Sequence, residues 1–302
     1  MFRNNGIRLF QLWGITVFLS PSWFIVAIYA FQQRIHDYQF PGWAAAEVLS
    51  LFALVLMHEF GHALACRSVG GQADRIILWP LGGVAFVNPP RRPGAWLWSI
   101  VAGPLVNVVI LALTFPLFNI SIPGNPDLQT FLHTMVFINL VLLIFNILPV
   151  YPLDGGKILW SLLWFIMGYS TSLMVAAGLG LIIAIAGGLW ALSVQDWWLS
   201  LMAAFAIYQS VIGIQYAVAV RRRDNAPRRP GVACPSCHKP PPMGPFWRCG
   251  QCGTNFDAFD YPTACPTCGR PHAVTACLEC GAKSQFVEWD LPAPMTINAH
   301  QL

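Results

Sequence analysis

Charge is what this 302-residue sequence has least of. Asp, Glu, Lys and Arg make up 10% of it, against roughly 25% in an ordinary soluble domain. With 56% hydrophobic residues and a mean hydropathy of +0.56, a soluble globular fold is excluded for most of the chain. The 38 residues from Ile158 to Gln195 carry no charge at all. Cysteine is almost missing before residue 234, where only Cys66 occurs, read here as a small helix residue. No small-residue cleavage site closes the apolar stretch that follows Arg3 and Arg8 before Pro21, so that segment is expected to be retained. The charges that do occur are unevenly spread. Residues 1–220 hold 8 Lys/Arg and 7 Asp/Glu, and residues 221–302 hold 9 and 6. A polar tail follows a polytopic membrane body.

The expected fold is all-α and membrane-spanning, with about six transmembrane helices, a small membrane-associated β-hairpin or sheet, and a β-rich zinc-ribbon tail. Ile7 to Leu19 reads as a short pair of strands leading into a first span from about Ser22. A second helix covers residues 43–66. Ala73 to Val87, rich in β-branched residues and carrying Gly82-Gly83, reads as a hairpin. Its open edge offers a place for an extended peptide to add as a strand. Ala95–Phe118 and Leu128–Pro149 are the third and fourth spans. The uncharged run from Ile158 exceeds one span and is divided near Gly168 into a shallow helix and a fifth span, 171–194. Trp197–Val220 is the sixth. Arg3, Arg8, Arg67, Arg75, Arg91, Arg92, Lys157 and Arg221–Arg223 fall on one side of this scheme, so both termini are expected to be cytoplasmic, in a cell (inner) membrane.

Near the end of the second helix stands His58-Glu59-Phe60-Gly61-His62. Histidines at i and i+4 share one helix face and suit a single zinc ion, with Glu59 beside them to handle protons. A hydrolytic zinc needs a third protein ligand and an open position. Glu47 lies too far up the same helix, and Asp127, Asp196 and His133 belong to the opposite half of the membrane. Asp154 emerges at the depth of the histidines, where Gly155 and Gly156 permit a tight turn. It is taken as the ligand, with Asp74 as the competitor. Asn146 and Asn107 each have two readings: a hydrogen bonder between helices, or a group acting on substrate, which for Asn146 means an oxyanion donor.

These residues resemble a known family. His58-Glu59-x-x-His62, the Gly70 and Gly82-Gly83 segment, and Asn146-x-x-Pro149 with Leu153-Asp154-Gly155 are similar to the site-2 protease family of intramembrane zinc metalloproteases. The resemblance covers most of residues 7–220. It implies His58, His62 and Asp154 as ligands of a catalytic zinc, Glu59 as catalytic base, and Asn146 as a substrate-positioning or oxyanion residue. It also implies a transmembrane protein substrate, often a regulatory protein, cleaved where its helix unwinds locally. The chain shows neither a PDZ-like insertion nor a paired nucleotide-sensing module after the last span, so regulation and substrate do not carry over with the motifs.

Residues 221–233 form a basic Pro/Arg linker after the membrane-embedded metalloprotease domain, 1–220. Beyond it, eight cysteines fall into four Cys-x-x-Cys pairs, the arithmetic of zinc sites in a reducing compartment. Pairing in sequence order gives one ribbon at 234–253 on Cys234, Cys237, Cys249 and Cys252. It gives a second at 265–282 on Cys265, Cys268, Cys277 and Cys280. Short spacers favour that order over interleaving. His238 and His272 adjoin knuckles as substitutes or as surface residues. Residues 283–302 are expected to be disordered. Three zinc ions follow, one catalytic and two structural. Residues 234–302 hold 4 Lys/Arg against 5 Asp/Glu, which argues against nucleic acid and for a protein partner. The lipid bilayer is the other partner, and the oligomeric state is left open. The rival reading is a non-catalytic zinc-binding scaffold recruiting partners through its ribbons; a metal transporter is a weaker third.

Overall fold

The structure, a computed structural model, describes residues 6–79, 82–118 and 124–289. It divides into two compact units, Met1–Gln215 and Tyr216–Leu302.

In the first unit, β1 (Ile7–Leu12) and β2 (Ile15–Leu19) form one hairpin, turned at Trp13 and Gly14, both with positive φ. β3 (Gln72–Trp79) and β4 (Gly82–Asn88) form another, whose turn at 80–81 lies outside the described residues. The hairpins are joined: β2 runs parallel to β3, giving one four-stranded sheet in the order β1-β2-β3-β4. Alternate residues of β2 (Ile15, Val17 and Leu19) point inward with Ile76 and Leu78 of β3. They pack on Phe60, Ala63 and Cys66 of α2 (Gly42–Ser68). One face of the sheet thus lies along the half of α2 that carries the histidines, with β4 as a free edge.

Five helices among the described residues are long and apolar enough to cross a membrane. They are α2, α3 (Pro93–Phe118), α4 (Pro126–Ile147), α6 (Tyr169–Ser193) and α7 (Trp197–Asp224). The expected first span is α1 (Trp23–Arg34), with 12 residues. That is about 18 Å of helix, short of a hydrocarbon core of about 30 Å. The reason is that β2 has already climbed alongside α2: Trp23, at the start of α1, stacks edge-on against Phe52, in the middle of α2. At the far end of α1, Arg34 bonds the buried Glu47 of α2 through Nε at 2.8 Å, and Tyr38 donates to the other Glu47 oxygen at 2.7 Å. Glu47 therefore has a structural partner set. The shallow helix is α5 (Asp154–Met167), divided from α6 by Gly168 at φ 78°.

In the second unit, the expected linker is largely folded. α7 runs on to Asp224, Arg228 bridges Pro242, and the Arg229 amide bonds the Pro241 carbonyl. Arg229 also reaches Asp257 at 3.1 Å and Asp260 at 2.7 Å. Burial lowers its guanidinium pKa, and the two carboxylates more than offset that, leaving it raised. The unit contains two small hairpins, β5 (Trp247–Arg248) with β6 (Asn255–Phe256) and β7 (Val274–Ala276) with β8 (Lys283–Gln285). Phe259 packs edge-on against Trp247, Phe286 and Trp289. The disordered tail expected from residue 283 is corrected here. Residues 283–289 form β8 and a 3-10 turn ending in the buried Trp289, because that indole fills the core beside Cys234 and Cys277. Residues 290–302 lie outside the described residues.

Each Cys-x-x-Cys pair is followed by a residue in the left-handed region: His238, Gly253, Gly269 and Gly281. His238 thus fills the position that glycine holds in the other three knuckles. His238→Gly is expected to be neutral or to stabilise the tail by up to about 1 kcal/mol, read from its thermal midpoint with zinc bound.

Candidate active site

His58, Glu59 and His62 are all buried, and the two imidazoles lie one helical turn apart. Gly61 between them faces α3, where a Cβ would lie 2.7 Å from the Ala102 carbonyl oxygen. Glycine is what lets the two helices approach so closely. Asp154 arrives from another direction. After α4 ends at Ile147 the chain folds back, and Gly155 packs where a Cβ would meet the Ile147 carbonyl oxygen at 2.1 Å. Ser210 of α7 donates to the Tyr151 carbonyl at 2.9 Å, holding this return in place.

Asp154 Oδ2 lies 2.9 Å from His58 Nε2 and 3.1 Å from His62 Nε2, and the two nitrogens are 3.1 Å apart. Asp74, the competing ligand, is an exposed strand residue beside Arg75 and is outside this cluster. Lys157 Nζ is 3.5 Å from the other Asp154 oxygen.

The three groups fit a metal on their own chemistry. A tetrahedral zinc with bonds of about 2.0–2.1 Å sets its ligand atoms about 3.3 Å apart, close to this triangle. His62 Nδ1 lies 2.9 Å from the Ser99 carbonyl oxygen, which can only accept, so Nδ1 carries the proton and Nε2 presents a lone pair. His58 Nδ1 meets Asn107 Oδ1 at 2.8 Å. With both imidazoles neutral, two lone pairs and a carboxylate oxygen converge on one point, a set that a cation holds together. Space is kept beside it by Gly103 of α3, where a Cβ would lie 2.4 Å from His62 Nε2 and 2.8 Å from His58 Nε2.

Glu59 is positioned by the sheet edge. The Ala85 amide of β4 donates to Glu59 Oε2 at 2.7 Å, and a Cβ on Gly83 would lie 2.3 Å from Glu59 Cγ. An amide given to a side chain on α2 is not given to β3, so Ala85 presents its N–H on the free edge. Ala85→Pro removes that donor without removing a ladder bond, a placement edge strands tolerate. It is expected to slow turnover by about 10–100-fold with metal content unchanged, measured as initial rate and bound zinc per chain. Asn146 sits half-buried in the last turn of α4, and its side chain makes no hydrogen bond to another described residue. The structure does not join it to the triad.

The tail cysteines pair differently from the sequential expectation. Cys234 and Cys237 gather with Cys277 and Cys280, and Cys249 and Cys252 with Cys265 and Cys268. Sγ–Sγ contacts of 3.6–3.7 Å link the pairs, matching the roughly 3.8 Å edge of a zinc–thiolate tetrahedron. The inner site nests within the outer one, so the two ribbons expected at 234–253 and 265–282 form a single module. The entropic preference for short loops is too weak to decide otherwise. Each doubling of loop length costs only about 0.6 kcal/mol, less than burying Trp289 and Trp247 contributes. Hydrogen bonds from Thr254 pull the Cys252 thiol down to about 6, whereas burial pushes Cys277 up to about 12. His238 and His272 belong to neither cluster. Cys237→Ala should expose Cys234, Cys277 and Cys280 to alkylation while Cys249, Cys252, Cys265 and Cys268 stay protected. Exposure of Cys249 and Cys252 instead would restore the sequential pairing.

Comparison with known proteins follows the same lines. The sequence profile described as peptidase family M50 matches residues 46–124 and 121–187. A zinc metalloprotease of Methanocaldococcus jannaschii is 34% identical over 180 residues, 59% of this chain and 51% of that protein. Stage IV sporulation protein FB of Bacillus subtilis is 34% identical over 117 residues, 38% of this chain and 39% of that protein. The chain therefore spans about half or less of these relatives. Among solved structures, a site-2 protease from M. jannaschii superimposes with a TM-score of 0.52 at 28% identity, covering 69% of this chain and 95% of that one.

Proposed function

As a member of peptidase family M50, the site-2 protease family, matched over residues 46–124 and 121–187, this chain is, we propose, an intramembrane zinc endopeptidase that cuts transmembrane segments of membrane-anchored regulatory proteins. The observation that carries the proposal is the convergence of His58 Nε2, His62 Nε2 and Asp154 Oδ2, buried among apolar helices with Glu59 on the adjacent position.

His58, His62 and Asp154 would hold the catalytic zinc, which supplies Lewis acidity toward a water and a peptide carbonyl. Glu59, oriented by Ala85 and Gly83, takes the proton of the attacking water and returns it to the leaving amine. Asn146, with its amide uncommitted to other described residues, is assigned to the substrate carbonyl or the developing oxyanion. A transmembrane helix hides its carbonyls in i to i+4 bonds, so the substrate must unwind to react. The free edge of β4 passes the proton carrier and can hold an unwound segment as an added strand. Arginine asymmetry orients the site towards the cytoplasmic side with both termini cytoplasmic. The tail module, zinc-loaded at two further sites, is assigned to a protein partner or substrate gating.

The test is cleavage of a transmembrane substrate carrying helix-destabilising residues, with the protein purified in detergent. Cleavage should stop on chelation and return with zinc. A substrate panel left intact by fully zinc-loaded protein favours the scaffold reading, for which Glu59 has no chemical use.

A further inference from the structure

Asn107 and Asn139 are the most deeply buried amides among the described residues of the membrane unit, 0% and 1% exposed. They sit near the middle of α3 and α4 and bond each other twice. Asn107 Nδ2 donates to Asn139 Oδ1 at 2.9 Å, and Asn139 Nδ2 donates to the Asn107 backbone carbonyl at 2.9 Å. We propose that Asn139, one layer removed from the metal ligands, is a positioning residue that sets the tautomer of His58 through Asn107 and so presents Nε2 to the metal. This rests on the triad being a zinc site.

The direction of each bond is set by the atoms that can only accept. A side-chain amide has a donor end and an acceptor end, and rotation by 180° exchanges them. The Asn107 backbone carbonyl removes that freedom from Asn139, whose NH2 must face it. Asn139 Oδ1 then faces Asn107 and demands a donor, which turns the Asn107 NH2 towards α4. Asn107 Oδ1 is left pointing at His58 Nδ1, 2.8 Å away. An oxygen there requires Nδ1–H, and neutral imidazole then keeps its lone pair on Nε2. His62 obtains the same tautomer directly from the Ser99 carbonyl. Among the described residues no backbone acceptor meets His58 at this nitrogen, and the asparagine pair relays one to it from the α3 backbone.

Without Asn139, the Asn107 amide can turn over and offer its NH2 to His58 Nδ1. The imidazole proton would then move to Nε2, between Asp154 and His62, where a metal ligand cannot carry it. Two interhelical hydrogen bonds could also be simple packing between α3 and α4. That bland role would alter stability and leave metal affinity alone.

The experiment counts zinc on the full-length protein in detergent, titrated with a chelator. Two equivalents belong to the cysteine sites and the third to the triad. Asn139→Leu, close in size, should weaken the third equivalent by about 10–100-fold and leave the other two in place. Adding Asn107→Asp should restore it, because both oxygens of a carboxylate accept from Nδ1–H whichever way it turns. Wild-type affinity in Asn139→Leu overturns the proposal, and so does a double variant as weak as the single one. Should Asn139→Leu not fold, Asn107→Asp/Asn139→Leu is compared with Asn107→Leu/Asn139→Leu; only the first should hold the third zinc, and equal affinities overturn the proposal. A wild type lacking a third equivalent contradicts the triad itself, a result distinct from failure of the relay.

Discussion

Glu59→Gln is expected to lower the rate of substrate cleavage by about 10²–10⁴-fold, the usual contribution of a positioned proton carrier, while zinc content stays at the wild-type level. The substitution keeps the shape of the side chain and an oxygen for the Ala85 amide, which donates to Glu59 Oε2 at 2.7 Å. The packing of Gly83 against the side chain is unchanged as well. What disappears is the carboxylate that takes and returns a proton. Rates are compared at matched zinc content. Equal rates would remove Glu59 from the chemistry, and loss of zinc together with rate would make it a structural residue.

Gly103→Ala should disturb the same site through a different route, by way of the metal ligands. A methyl at this position would lie 2.4 Å from His62 Nε2 and 2.8 Å from His58 Nε2. His62 cannot swing away cheaply, because the Ser99 carbonyl holds its other nitrogen at 2.9 Å. Either α3 retreats or the triangle opens. Overpacking of this kind costs about 1–3 kcal/mol, so the third zinc equivalent is expected to bind about 10–100-fold more weakly in a chelator titration. Gly94→Ala in the same helix is the control, since its nearest neighbour would be Phe165 at 3.8 Å. Its zinc affinity should match wild type. Wild-type affinity in Gly103→Ala would show that α3 can move without disturbing the ligands.

Much of this was legible from residue order because membrane helices advertise themselves. Long apolar runs gave α2, α3, α4, α6 and α7, and Gly168 marked the break after α5. The i, i+4 histidines declared a shared face, and depth chose Asp154 over Asp74, which stands apart from the imidazoles in the structure. Other features carry no local signal. Nothing in an isolated asparagine within an apolar run distinguishes Asn139 from helix glue, and Ser99 acts on His62 through a backbone oxygen that any residue possesses. The parallel pairing of β2 with β3 joins segments more than fifty residues apart with no turn between them to reveal it. Nested cysteine pairing was hidden for a thermodynamic reason: the entropy difference between pairings is small, and a core containing Trp247, Phe259 and Trp289 settles the outcome.

The scaffold reading and the protease reading share every zinc ligand and differ over Glu59 and the edge of β4. A scaffold has no use for a carboxylate held beside the ligands by a strand amide. A hydrolase needs one there, and needs the free edge to keep its substrate extended.

The most direct test is to incubate the zinc-loaded protein with a helix-destabilised transmembrane substrate in ¹⁸O-labelled water and map the products by mass spectrometry. One new C-terminus inside the apolar segment, carrying a single oxygen from solvent, is expected, and no such product from Glu59→Gln. An intact substrate with zinc on the triad, or cleavage confined to residues outside the apolar segment, would contradict the protease reading.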